Sequence, residues 1–201
     1  PRLRDARQRQ LIVEQQNRVV VYDRRLRDQQ RIAEQRARIL EQQRRLAQYR
    51  FQVEYLERLR QQQMWLASQQ NYNYYDDPYY YTAPAYRYYH LGSWYQINPY
   101  GANLLQQAVQ YGYQEGYQAG RADRDDRWRF GFQDSWAYQD ANYGYNGFYV
   151  DQSLYNYYFR QGFERGYQDG YYGRYQYGSY SHGTLAILGA VLNSILAFQS
   201  L

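Results

Sequence analysis

Gly112-Tyr113-Gln114-Glu115-Gly116-Tyr117-Gln118-Ala119-Gly120 is answered by Gly162-Phe163-Glu164-Arg165-Gly166-Tyr167-Gln168-Asp169-Gly170, with glycine at every fourth position and an offset of 50 throughout. The correspondence extends on both sides. Leu104, Leu105, Ala108 and Val109 precede the first set as Leu154, Tyr155, Tyr158 and Phe159 precede the second, and Arg124 matches Arg174. Residues four apart share one helix face. The pattern therefore predicts two helices, each with a glycine stripe beside an aromatic ridge: Tyr113 and Tyr117 on one, Phe163 and Tyr167 on the other. Glycine inside a helix costs about 1 kcal/mol relative to alanine. Six of them would cost about 6 kcal/mol, comparable with the stability of a small domain. Such a stripe is tenable only where another backbone or a ring lies against it. Gly112, Gly116, Gly120, Gly162, Gly166 and Gly170 are thus a candidate packing and assembly site, in which two helices or two chains cross closely and tyrosines of one lie on glycines of the other.

Working outward, Asn103 and Ser153 occupy equivalent positions and are favoured helix caps, and Gln106 follows Asn103 at capping-box spacing. They place the helices at about 104–127 and 154–172. Trp128–Gln152 reads as an ordered aromatic loop. After Arg174 no formal charge occurs. Leu185, Leu188, Leu192, Ile195 and Leu196 fall on one face of a predicted tail helix. That face needs burial in its own domain or in the next subunit, with peripheral lipid contact as the competing role.

Upstream, residues 1–70 are almost only Arg, Gln, acids and aliphatics, without glycine and with Pro1 the only proline. Apolar residues recur every seven positions: Ile12-Val13, Val19-Val20, Leu26, Ile32-Ala33, Ile39-Leu40, Leu46-Ala47, Val53. This spacing predicts one long helix with a coiled-coil-like seam. Roughly sixty helical residues would reach about 90 Å at 1.5 Å per residue, and such a helix needs a partner chain or a folded-back domain to bury its stripe. Residues 71–101 change abruptly to tyrosine with Pro78, Pro84 and Pro99, which interrupt any helix. An extended connector laid over another surface is expected there. Residues 102–201 form the third segment, a duplicated helical domain with its apolar tail.

The composition removes most chemistry. No cysteine is present, so disulfides, thiolate metal sites and thiol nucleophiles are excluded. The two histidines, His90 and His182, stand alone among Tyr, Gly and Ser. No metal site and no cofactor is expected. Asp123 and Asp125 share the first spacing of a calcium loop, but Arg127 occupies the fifth position and no bidentate Glu follows. The run Arg121–Arg127 reads instead as a salt-bridge network at a helix end. Arginine interleaved with tyrosine suits stacking on single-stranded nucleic acid, yet the 24 basic residues are offset by 19 acids and the net charge is only +5. Nucleic acid is therefore not the expected partner. Trp94, Trp128 and Trp136 provide platforms on which sugars could stack. No stretch is apolar enough for a membrane span. The first residue is proline, which fits removal of an export signal.

The run Tyr158-Phe159-Arg160-Gln161-Gly162-Phe163-Glu164-Arg165-Gly166-Tyr167-Gln168-Asp169-Gly170-Tyr171-Tyr172-Gly173-Arg174-Tyr175 resembles a motif in uncharacterised exported Tyr/Gly-rich repeat proteins of acidobacteria-like bacteria. The resemblance covers the C-terminal half and implies an envelope or extracellular location and nothing about chemistry. The expectation is a mainly α fold: a long N-terminal helix, a Tyr-rich extended connector and a small C-terminal domain on two glycine-striped helices. The expected function is non-enzymatic: a self-associating subunit of an extracytoplasmic oligomer or filament. An accessory subunit of another envelope or membrane complex and a carbohydrate-binding surface module are the alternatives.

Overall fold

In the computed structural model, which describes residues 2–201, the N-terminal segment is a helical hairpin. Helix α1 spans Asp5–Gln42 and α2 spans Leu46–Ser68. The mainly helical character and the long first helix match the sequence reading, but a single helix over 1–70 does not form. Pro1, with which that helix was to begin, lies outside the described residues. The chain reverses at Gln43–Arg45, where Arg44 takes φ 58°. Neither glycine nor proline marks this turn; residues far away in sequence hold it. The Asp126 carboxylate accepts from the backbone N–H of Ala47 and of Gln48, both at 2.8 Å. It thus caps the start of α2 from outside the helix. Arg45 donates to Asp123 Oδ1 at 2.6 Å and its guanidinium lies 4.2 Å from the Trp128 ring centre.

Each apolar pair of the seven-residue pattern is divided by the fold. Ile12, Leu26, Ala33 and Leu40 are buried, whereas Val13, Val20, Ile32 and Ile39 are exposed. The seam is thus used within the chain along one row only. In α2, Tyr55, Leu56, Leu59 and Leu66 face the core and Leu46 and Val53 face outward.

The tyrosine-rich segment is less extended than expected. A short 3-10 turn covers Pro78–Tyr80. Strands β1 (Tyr86–His90) and β2 (Ser93–Ile97) then pair antiparallel, with Tyr88 opposite Tyr95. Leu91 and Gly92 make the two-residue turn with φ of 47° and 85°, the geometry that lets two strands twist correctly.

Helix α3 covers Pro99–Asp125 and α5 covers Gln152–Tyr172. The first starts earlier than its sequence signals suggested, because Asn98 rather than Asn103 caps it. Asn98 Oδ1 accepts from Gly101 N–H at 3.0 Å, and Pro99 occupies a first-turn position where its missing N–H costs nothing. Asp151, not Ser153, precedes α5. Between them lie a 3-10 turn at Phe132–Asp134 and a short helix, α4, at Trp136–Asp140.

The tail differs most from expectation. Strands β3 (Gly178–Ser181) and β4 (Thr184–Ile187) form a second hairpin, α6 is confined to Gly189–Leu196, and β5 (Gln199–Ser200) adds to the free edge of β1. The first sheet therefore has the order β2-β1-β5.

One apolar core joins these parts, from Tyr22 and Leu26 through Tyr55, Leu105, Tyr113, Phe159 and Phe163 to Leu196. Tyrosine dominates it for a reason visible in the hydrogen bonds. Tyr22, Tyr155 and Tyr145 donate to the carbonyls of Tyr145, Tyr143 and Val150 at 2.6–2.7 Å, and Tyr171 donates to Trp128 at 2.7 Å. The long connection from α3 to α5 passes through the interior, and its carbonyls need donors there. Phenylalanine would bury the same ring and leave them unpaired.

A glycine-lined seam and a polar cleft as candidate sites

Helices α3 and α5 lie directly against each other, and the six repeated glycines line the contact. A Cβ on Gly112 would fall on the carbonyl oxygen of Phe159, one on Gly116 on that of Phe163, and one on Gly120 on that of Tyr167. In return Gly162 meets the carbonyl of Val109, Gly166 that of Tyr113, and Gly170 that of Tyr117. Both series ascend together, so the helices are parallel, and the connection between them must run back the length of the pair. What covers each glycine is backbone, not a tyrosine ring. The rings of Tyr113, Phe163 and Tyr167 point into the core and are fully buried, and that of Tyr117 is nearly so.

Two buried carboxylates fasten the C-terminal half of this pair. Tyr113 donates to Asp169 Oδ2 at 2.9 Å, and the same carboxylate accepts from Gln176 and Tyr177 N–H at 3.0 and 2.8 Å. Tyr167 donates to Asp123 Oδ2 at 2.5 Å, opposite Arg45. Burial raises Asp123 above the ordinary carboxylate range, against the lowering effects of Tyr167 and Arg45. The run Arg121–Arg127 therefore contributes Asp123 and Asp126 as ties to the helical hairpin. Among the described residues no group of three or more His, Asp or Glu is placed to hold a metal ion.

The predicted tail face is split between elements. Leu185 lies in β4 and is buried; Leu188 is 40% exposed at the start of α6; Leu192 and Ile195 are half-buried; Leu196 is buried. The five residues therefore do not share one helical face. Gln110 fixes β4 by donating to the Leu185 carbonyl and accepting from Ile187 N–H, both at 2.9 Å, and Gln114 adds a bond to Leu185 at 2.8 Å. Phe198 packs on Tyr86 and Tyr88. Among the described residues no helix is long and apolar enough to cross a membrane.

The tryptophans do not form a common platform. Trp136 is 2% exposed in the core, edge-on to Tyr55, so it is closed to any sugar. Trp128 lies beneath Arg45, and Trp94 stands exposed on β2 beside Arg87. His90 packs edge-on to Tyr157, with burial lowering its proton affinity, and His182 sits in the exposed turn of the second hairpin.

A feature without a sequence signal is a cleft of about 1070 Å³ between α2, α3 and the β3–β4 hairpin. Phe51 and Tyr117 form part of its wall, with Tyr175 and Tyr180 at exposed positions. The Tyr117 and Tyr175 rings are nearly parallel, 5.7 Å between centres. Arg58 donates to Glu115, and its guanidinium also lies 5.3 Å from the Tyr143 ring centre. Burial pushes the Glu115 carboxyl up to about 7 although Arg58 opposes the shift, and Glu54 in the same cleft adds to it. Only the assembled fold brings these residues together.

No protein-family profile, curated protein or solved structure matches the chain.

Proposed function

We propose that the protein is a non-enzymatic structural subunit whose copies associate through the outer face of the α1–α2 hairpin, in an extracytoplasmic setting. One observation carries this reading. Ile32, Ile39, Leu46 and Val53 follow one another at intervals of seven and all stay exposed, Ile39 by 50% and Leu46 by 54%. Gln52 donates to the Ala33 carbonyl at 2.7 Å. Ile32 and Ile39 on α1 and Leu46 and Val53 on α2 thus give the packed hairpin four exposed branched aliphatic side chains, the kind of surface that marks association sites on soluble proteins. A second hairpin laid on it by two-fold symmetry makes a four-helix layer, with the inner row already buried in each copy. The extracytoplasmic setting rests on the resemblance of the Tyr/Gly-rich repeat to exported proteins. The glycine seam is internal to the chain and contributes rigidity, not a free surface.

Sedimentation velocity tests the reading. The wild-type chain should sediment as a dimer or larger, and Ile39→Glu combined with Leu46→Glu should sediment as a monomer with an unchanged circular dichroism spectrum. A monomeric wild type overturns self-association and assigns the patch to a different protein, as in an accessory subunit of an envelope complex.

A further inference from the structure

We propose that the cleft between α2, α3 and the β3–β4 hairpin is a binding site for a neutral oligosaccharide. The inference is independent of the assembly reading, because the cleft shares none of the four residues of the outer patch. Its volume, about 1070 Å³, stands at the upper end of small-ligand sites and suits several sugar rings rather than one. It is open to solvent, as an extended ligand requires.

The chemistry of the walls selects the ligand class. A lipid needs an apolar lining, whereas Arg50, Arg121, Gln118, Glu54 and Asp125 all reach this cleft. A phosphate or nucleic acid needs an excess of cations. Here Arg50, Arg58 and Arg121 are offset by Glu54, Glu115 and Asp125. What remains is a ligand with many hydroxyls and little charge. Guanidinium, carboxylate and carboxamide groups are planar and present paired donors or acceptors at the spacing of adjacent hydroxyls. Tyr175 and Tyr180 add exposed amphipathic faces for the C–H side of a sugar ring. Glu115, raised to about 7 by burial, lies in the same wall paired with Arg58.

The sugar site therefore lies away from Trp94, Trp128 and Trp136, the residues that the aromatic content alone singles out and none of which lines the cleft. Isothermal titration calorimetry of the full chain with cellohexaose, chitohexaose, xylohexaose and maltohexaose tests it. At least one of these neutral probes should bind at millimolar concentration or below. Tyr180→Ala and Gln118→Ala should each weaken that binding about tenfold, close to 1.4 kcal/mol, with melting temperature unchanged because both side chains are exposed. Raising the NaCl concentration severalfold should leave the affinity nearly constant, and Trp94→Ala should have no effect. The proposal is overturned if none of the four binds, if the two cleft variants bind as well as the wild type, or if binding is seen only with oligo(dT) or polygalacturonate and collapses with salt.

Discussion

At Gly116 a single added methyl group has nowhere to go. Its neighbours are the carbonyl, carbonyl carbon and Cα of Phe163, and backbone cannot rotate away as a flexible side chain can. Gly116→Ala or Gly166→Ala should therefore cost about 3 kcal/mol or more, because two whole helices must separate. Gly189→Ala, which meets nothing within 4 Å, should change stability by less than about 0.5 kcal/mol. Chemical denaturation of the three variants makes the comparison; equal midpoints would refute the backbone-contact account. A second residue-scale outcome concerns Glu115. Its carboxyl is raised in the folded chain from 4.5 to about 7, so the folded state binds the proton more tightly than the unfolded one. Stability is then highest below the unfolded value and declines as pH rises through that window. A shift of this size corresponds to about 3 kcal/mol at 1.36 kcal/mol per unit. Burial raises Asp123 and Asp140 in the same direction, so the wild type should lose stability as pH rises from about 4.5 to about 7. Glu115→Gln, neutral at every pH, should flatten part of that slope; an unchanged slope would show that Glu115 titrates normally.

Among the elements, α2 depends on a cap it does not own. Asp126 holds the N–H groups of Ala47 and Gln48, which are otherwise orphaned at a helix start. Asp126→Ala should cost about 1–2 kcal/mol, the range for losing an N-cap. Amide exchange at Ala47 and Gln48 should accelerate more than exchange at Leu59, in the buried middle of the same helix. Uniform acceleration along α2 would mean that the turn is held by Arg45 and Trp128 alone. The parallel α3–α5 pair has the opposite character. Its contact is backbone on backbone, with Tyr113–Asp169 and Tyr167–Asp123 bonding it towards one end, and it should be the most slowly exchanging part of the chain.

Across the whole molecule, helices, hairpins and connections share one core that includes residues from Tyr22 to Leu196. Tyr22 ties α1 to the α4–α5 connection through Tyr145, which also packs on Tyr155, and Gln15 bonds Gly147 and Tyr149 in the same connection. No segment can leave without exposing rings buried by another. Thermal unfolding should accordingly be a single transition, with far-ultraviolet and near-ultraviolet circular dichroism changing together. An early loss of the N-terminal helices, with the aromatic signal retained, would show that the hairpin is an independent unit.

The sequence by itself determined the helices and the surfaces they must bury. Glycine at every fourth position, with an offset of 50, marks α3 and α5 and requires something to approach their backbones. Seven-residue spacing without glycine marks the N-terminal segment as helical. Only the tertiary structure decided what those surfaces meet. The reversal at Gln43–Arg45 carries no local signal, since its partners Asp123, Asp126 and Trp128 lie about eighty positions away. Thr184-Leu185-Ala186-Ile187 fits both a strand and the start of an apolar helix face. Gln110 and Gln114, contributed by α3, complete its hydrogen bonds as a strand. The parallel direction of α3 and α5 was open for the same reason, because a stripe on each helix specifies a face but not an orientation. The polar cleft draws on α2, α3 and the stretch after α5, so no window of sequence contains it. Local periodicity records which side of an element avoids water. The partner on that side is chosen by hydrogen bonds and close contacts between residues that only the folded chain makes neighbours.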